Sequence, residues 1–276
     1  MDDFIPINHL SICSGIGGLD VGLGRCFPTL VNVAYVEREA FSVATLAQAI
    51  EREQIPPAPI YTDVDCFPWI KYRGLVDIVS AGLPCQPFSS AGKQRGEADS
   101  RHLWPTVRAG LEILEPSVVF FENVAGFATT NSPDGHSVLH AVCSGLEKMG
   151  YVAEAGLFSA EEVGAPHVRN RWFILAIRNA NRYGKPDGPF DGEAQRVPAD
   201  YEVPDPYSER TQVPIERRFA AEQESQRPLS WEAEPGMGRM VDGLPDRVDR
   251  LRSLGNAVVP QCAEHAFRTL WGRLNG

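Results

Sequence analysis

Apolar and polar positions fall into two alternating rhythms over the first two-thirds of the chain. Runs rich in Val, Ile and Phe predict strands at His9–Cys13, Leu30–Val36, Val76–Ala81, Ser117–Phe121, Val152–Phe158 and Trp172–Ile177. Between them, Glu39–Glu51, Leu103–Leu114 and Ser137–Met149 carry helical patterns. Strands this apolar must be shielded on both sides, so the expected fold class is α/β: a doubly wound, mostly parallel sheet with helices on both faces. The rhythm fails from about Asn179 to Pro235, where prolines and charges multiply and β-branched runs vanish. That stretch is expected to be a separate small module, a long insertion or a partly mobile segment. Periodicity returns in Gln261–Leu274, which predicts an amphipathic helix.

Composition narrows the picture. A chain of 276 residues fits one large α/β domain or one domain with an appendage, and 43% hydrophobic with 22% charged residues excludes wholesale disorder. No apolar run reaches the roughly 18 residues of a membrane span, and the first ten residues lack an export signal's basic start and apolar stretch. A soluble, cytoplasmic protein is expected. The net charge of −10 argues against binding nucleic acid by bulk charge and leaves only a local basic cleft. The six cysteines form no C-x-x-C pair, so neither a zinc site nor a thioredoxin-type motif is supported.

The first predicted strand ends in Cys13-Ser14-Gly15-Ile16-Gly17-Gly18, ahead of a helix-like Leu19–Arg25. A glycine-rich turn there lets a nucleotide-like cofactor approach the backbone. Asp20 stands where a dinucleotide fingerprint wants its third glycine, and no Gly-Lys-Ser/Thr follows, which excludes a P-loop. Glu37 closes the second strand, where an acid accepts hydrogen bonds from ribose hydroxyls. Asp63 follows Pro59-Ile60-Tyr61-Thr62, in position for an adenine amino group. In this order, at strand ends, the three features favour an adenosyl cofactor without a pyrophosphate. The strongest signal is Gly82-Leu83-Pro84-Cys85-Gln86-Pro87-Phe88-Ser89. Prolines at 84 and 87 hold Cys85 in a rigid turn at the carboxyl end of a strand, where open α/β sheets place ligands. The other five cysteines read as structural thiols in apolar surroundings.

These motifs resemble, in order, those of the cytosine-5 DNA methyltransferases. The matching elements are the glycine turn at 13–18, Glu37, Asp63, Pro84-Cys85-Gln86, Glu122-Asn123-Val124, Arg169-x-Arg171 and Gly255-Asn256-Ala257-Val258-Val259-Pro260. They cover the chain apart from about 179–235. The resemblance implies a Rossmann-like catalytic domain dependent on S-adenosylmethionine at 1–177. A small inserted target-recognition region would span 178–250, and 251–276 would complete the catalytic domain. Cofactor binding is assigned to Cys13, Ser14, Gly15, Ile16, Gly17, Gly18 and Glu37, together with Asp63, Val64, Gly82, Pro84 and Asn256. Two positions depart from the family. Cys13 replaces an aromatic that would lie against the cofactor, and His167 replaces a Gln while still able to make one hydrogen bond.

The catalytic set implied is Cys85, Glu122, Arg171 and Arg169. Carbon 5 of cytosine is a poor nucleophile, and a thiolate adding at C6 turns the ring into an enamine that can take an electrophilic methyl group. Cys85 is the nucleophile. Glu122, expected on the turn after the strand Ser117–Phe121, serves N3, which demands a buried, partly protonated carboxyl. Arg171, with Arg169 beside it, places positive charge on O2 in the manner of an oxyanion hole, and Asn123 orders the backbone near the base. The target lies inside a stacked duplex and must be flipped out. The loop from Ser89 to Gly96 is expected to close over the DNA, with Ser89, Lys93, Arg95 and Arg101 toward the backbone.

The 178–250 stretch holds eleven Arg and Lys against fifteen Asp and Glu, a balance opposite to what a DNA reader presents. Arg217-Arg218 is its densest basic pair and the expected DNA contact. Either the acids face away from the DNA or the sequence preference is short and loose. Expected partners are double-stranded DNA and a cognate restriction endonuclease encoded nearby; a monomer is expected, with no metal and no membrane. Three rivals stand beside this reading. The same chemistry on tRNA lacks that relative's Cys-Phe-Thr element here. A catalytically idle DNA-binding relative would not need Cys85, Glu122 and Arg171. A nicotinamide-dependent dehydrogenase is disfavoured by Asp20.

Overall fold

The computed structural model describes residues 6–83, 103–128, 137–178 and 255–275. Its strands are β1 (Ile7–Ile12), β2 (Leu30–Val36), β3 (Ile60–Tyr61), β4 (Ile78–Gly82), β5 (Val118–Val124), β6 (Tyr151–Ser159) and β7 (Asn170–Arg178). They form one seven-stranded sheet in the order β3-β2-β1-β4-β5-β7-β6. The first five strands run parallel, while β7 is antiparallel to both β5 and β6. The mostly parallel, doubly wound α/β sheet expected from the pattern is thus present.

Each long predicted strand has its counterpart, with ends moved by three residues or fewer. The largest shift carries chemistry. Glu122, expected on a turn after Phe121, lies inside β5, which runs on to Val124 through the pairs Glu122↔Phe173, Asn123↔Trp172 and Val124↔Arg171. The apolar run stops at Phe121, but hydrogen bonding to β7 does not, and pairing rather than polarity sets the strand's length.

The helices are α1 (Gly18–Cys26), α2 (Ala40–Glu51), α3 (Trp104–Leu114), α4 (Val138–Lys148) and α5 (Pro260–Asn275). Successive strand residues point to opposite faces. Val119 and Phe121 of β5 therefore pack with Val107 and Leu111 of α3 and Val142 and Leu146 of α4. Val118 and Phe120 meet Leu19 and Leu23 of α1 and Phe267 and Leu270 of α5 on the other side. No helix among the described residues is long and apolar enough to cross a membrane.

The α1–α5 contact depends on missing side chains. A Cβ on Gly18 would collide with the Val258 carbonyl oxygen, and one on Gly22, a helical turn later, would lie 2.7 Å from the Ala263 Cβ. Gly18→Ala must push a backbone carbonyl aside, an overpacking cost of about 1–3 kcal/mol. The expected result is a melting temperature several degrees lower. Gly24→Ala, on the same helix but with nothing within 4 Å of its Cβ, is expected to leave it unchanged or raised.

Topology gathers the functional candidates at one edge. Parallel β1, β2, β3, β4 and β5 all finish there, where an open α/β sheet forms its crevice. Because β7 runs the other way, its first residues, Asn170 and Arg171, arrive at that same edge.

Candidate active site

The chain reverses between β1 and α1 through three left-handed residues, Cys13 (φ 50°), Gly15 (φ 57°) and Gly17 (φ 86°). The Ser14 backbone N–H donates to Val36 O at 3.2 Å and the Gly17 N–H to Ser14 O at 2.9 Å, so the turn is tied to the end of β2. Glu37 is buried just past that strand. Its Oε2 accepts the Gly15 N–H at 2.7 Å and its Oε1 accepts the Glu39 N–H at 2.8 Å. A Cβ on Gly15 would meet nothing within 4 Å, which leaves open space over the turn. Beyond β3, Asp63 is exposed and Val64 buried. The residues predicted to hold an adenosyl group thus sit side by side at the ends of β1, β2 and β3.

The cysteines need one correction. Cys66 is exposed, with its Sγ 3.8 Å from Asp63 Oδ2, because it lies in the loop after β3 rather than in an apolar element. Cys26 and Cys262 are buried, and burial pushes both thiols up to about 12. Cys13 is pushed up to about 12 as well, by burial and then by the charge of Glu37. All three remain thiols at neutral pH.

Glu122 lies across from Gly82 in the β4–β5 ladder. A Cβ on Gly82 would stand 3.8 Å from Glu122 Oε2 and 3.2 Å from Cys13 O, so the carboxylate and the glycine turn converge on this glycine. Arg171 places its Nε 2.9 Å from Glu122 Oε1 as an ion pair. Only 6% of Glu122 is exposed, and Leu83, Phe121, Phe127 and Trp172 line the recess beside it. Loss of water pushes its carboxyl up to about 7, against the opposing pull of the Arg171 and Arg169 charges. Near neutral pH it is shared between protonated and ionised forms, the condition for giving and retaking a proton. The neighbouring Asn123 accepts the Val124 N–H on its Oδ1 at 2.8 Å, while its buried Nδ2 finds no partner among the described residues.

The two predicted arginines part company. Arg171 faces Glu122, whereas Arg169 donates from Nη2 to Gly255 O at 2.7 Å and to Ala257 O. Asn256, predicted to meet the cofactor, is the exposed residue between those carbonyls. Pro84, Cys85, Ser89, Lys93, Arg95, Arg101, Arg217 and Arg218 lie outside the described residues, as does the recognition region beyond Arg178.

A buried polar chain beneath the glycine turn escaped sequence reasoning. His9 Nε2 lies 2.8 Å from Ser80 Oγ and Nδ1 3.2 Å from Asn32 Oδ1. Asn32 Nδ2 donates to Asp20 Oδ1 at 2.7 Å, and Ser11 Oγ donates to Asp20 Oδ2 at 3.0 Å. Since Asn32 Oδ1 only accepts, Nδ1 carries the proton and Nε2 accepts from Ser80, a neutral imidazole. The signal was present as His9 and Ser11, two polar residues on one buried face of β1. Burial lowers the His9 pKa against the raising influence of Asp20. The unfolded chain therefore takes up a proton first, and stability is lost as pH falls below about 6.5. Melting temperature is expected to drop between pH 7 and pH 5, with a shallower slope in His9→Gln, which cannot titrate. Parallel slopes would show that His9 carries no such linkage.

Comparison with known proteins places this geometry. The family model described as C-5 cytosine-specific DNA methylase matches residues 7–234. The Type II methyltransferase M.NgoMIV of Neisseria gonorrhoeae is 31% identical over 175 residues, 63% of this chain and 53% of that protein. M.NaeI of Lentzea aerocolonigenes is 30% identical over 170 residues, 62% of this chain and 40% of that protein. The chain thus spans about half or less of the length of these curated relatives. Among solved structures, a Spodoptera frugiperda DNMT2 mutant superposes with a TM-score of 0.53 at 22% identity, covering 72% of this chain and 57% of that one. The Entamoeba histolytica methyltransferase EhMeth gives 0.51 at 20%, covering 69% and 56%. At these identities the solved structures establish a shared fold.

Proposed function

This chain belongs to the C-5 cytosine-specific DNA methylase family, and on that premise we propose that it methylates carbon 5 of a cytosine flipped out of double-stranded DNA, with S-adenosylmethionine as the methyl donor. The observation that carries the reading is Glu122: buried, ion-paired to Arg171, its carboxyl held near 7, and set against the glycine that leads into Pro84-Cys85-Gln86. A buried carboxyl poised near neutrality beside a cation is suited to donating a proton to a ring nitrogen.

The family implies a methyl donor, and the residues present fit an adenosyl one. Open space lies over Gly15, and the Glu37 carboxylate is pinned by two backbone N–H groups with lone pairs left for ribose hydroxyls. Asp63 and Val64 follow at the next strand end. When bound, S-adenosylmethionine supplies an electrophilic methyl group. The rest falls to the chain's own side chains. Cys85 adds through sulfur to C6, Glu122 protonates or hydrogen-bonds N3, and Arg171 balances the charge that grows at O2. After C5 has gained the methyl and lost its proton, the ring expels Cys85 as thiolate. Ser89, Lys93 and Arg95 would contact the DNA beside the target. Arg217 and Arg218 would do so from the recognition region at 178–250.

The Type II names of the relatives support a modification role on DNA; a cognate restriction endonuclease and a monomeric state are part of the proposal. Bisulfite sequencing of DNA from cells expressing the protein tests the proposal. Cytosines in one short sequence context should resist conversion, with no such protection under Cys85→Ser. Protection in tRNA with none in DNA would move the same chemistry to the RNA substrate. Protection in neither would overturn the reading.

A further inference from the structure

Arg169 is the point where the catalytic edge meets the C-terminal segment, and we propose that it is a positioning residue for the cofactor pocket, holding the turn that buttresses the glycine loop. The proposal rests on the preceding reading that this loop receives S-adenosylmethionine. One nitrogen, Nη2, donates to the carbonyls of Gly255 and Ala257, which fixes the direction of both and with it the place of Asn256 between them. One residue further on, the Val258 carbonyl lies against Gly18, the first residue of α1, close enough that no Cβ fits. Pro260 O and Ala263 Cβ then lie 2.8 and 2.7 Å from the position of a Cβ on Gly22. The same short segment is therefore gripped by Arg169 at one end and wedged beneath the glycine turn at the other.

The Arg169 end is itself anchored. Its carbonyl accepts the Ala160 N–H at 3.3 Å, and two residues along the strand Arg171 is ion-paired to Glu122. Its Nε is buried with no hydrogen-bond partner among the described residues, a cost that a purely solvated arginine would avoid. With Nη2 committed to two carbonyls, the cation facing the reacting carboxyl is Arg171. Arg169 acts through the turn instead. Lysine keeps the charge, but its ammonium rides on a flexible stem and lacks the rigid planar geometry that aims Nη2 at both carbonyls.

The test compares wild type, Arg169→Met and Arg169→Lys. S-adenosylmethionine affinity is read by titration calorimetry without DNA, and KM for cofactor and for duplex are read separately. The Met variant is expected to raise Kd and KM for S-adenosylmethionine at least tenfold while KM for DNA moves less than threefold, and Lys should recover part of the loss. An unchanged cofactor Kd, with the defect confined to kcat or to DNA, would overturn the proposal. So would equal loss in Met and Lys that follows a fall in the cofactor-free melting temperature, the mark of a plain strut. If the wild type binds the cofactor but methylates no DNA, the functional reading fails while the affinity comparison still decides the role of Arg169. A wild type that does not bind it overturns both.

Discussion

Cys85→Ser is expected to abolish methyl transfer while leaving S-adenosylmethionine binding within a few-fold of wild type. A thiol near its ordinary pKa of about 8.5 provides a few per cent of thiolate at neutral pH, and sulfur is intrinsically nucleophilic. A serine hydroxyl supplies essentially no alkoxide at that pH. Removing the nucleophile of a covalent mechanism costs on the order of 10⁴–10⁶ in kcat. Incorporation of labelled methyl into duplex DNA gives the rate. A duplex carrying 5-fluorocytosine gives the mechanism, because fluorine at C5 cannot leave as a proton and the adduct to Cys85 persists. Wild type should form a denaturation-resistant protein–DNA complex and the Ser variant none. Comparable turnover in the two proteins would exclude attack by this sulfur.

Glu122→Gln carries the second largest effect. The amide matches the carboxyl in size, but it neither delivers a proton to N3 nor balances Arg171, and a loss of about 10²–10⁴ in kcat is expected. The pH profile gives the sharper reading. The Glu122 carboxyl sits at about 7 because burial raises it more than the two arginines lower it. Its protonated form dominates below that pH and falls tenfold per unit above it. Wild-type kcat should therefore show a descending limb above about pH 7, and the Gln variant should lack that limb. A limb at the same pH in both proteins would assign it to another group and remove Glu122 as the proton donor. Melting curves across the same range separate this from unfolding, since Gln leaves the Arg171 cation without its counter-charge.

Much of this was legible in the chain. Leu30–Val36 matches β2 end to end, and each helix predicted from periodicity appears within two residues of its expected bounds. These elements are long and periodic, and their apolar residues have one way to leave water. Glu37 was legible only in its place at the end of the second strand; the two backbone N–H groups its carboxylate accepts there were not. Glu122 was misplaced by one element because pairing with β7, a strand nearly fifty residues away, extends β5 past the end of its apolar run. No local pattern carries that information.

The sequence by itself determined the alternation of strands and helices, the glycine turn and the order of polar residues at strand ends, since each depends on neighbours only a few positions away. The tertiary structure alone decided which charges meet. Arg169 and Arg171 stand two apart in the chain, yet one grips a turn 86 residues further along and the other pairs with Glu122. Only the reversed direction of β7, together with the absent side chains of Gly18 and Gly82, brings those backbones close enough. Electrostatic partnership falls off over a few ångströms, and ångströms between distant segments are set by how the sheet and its helices pack.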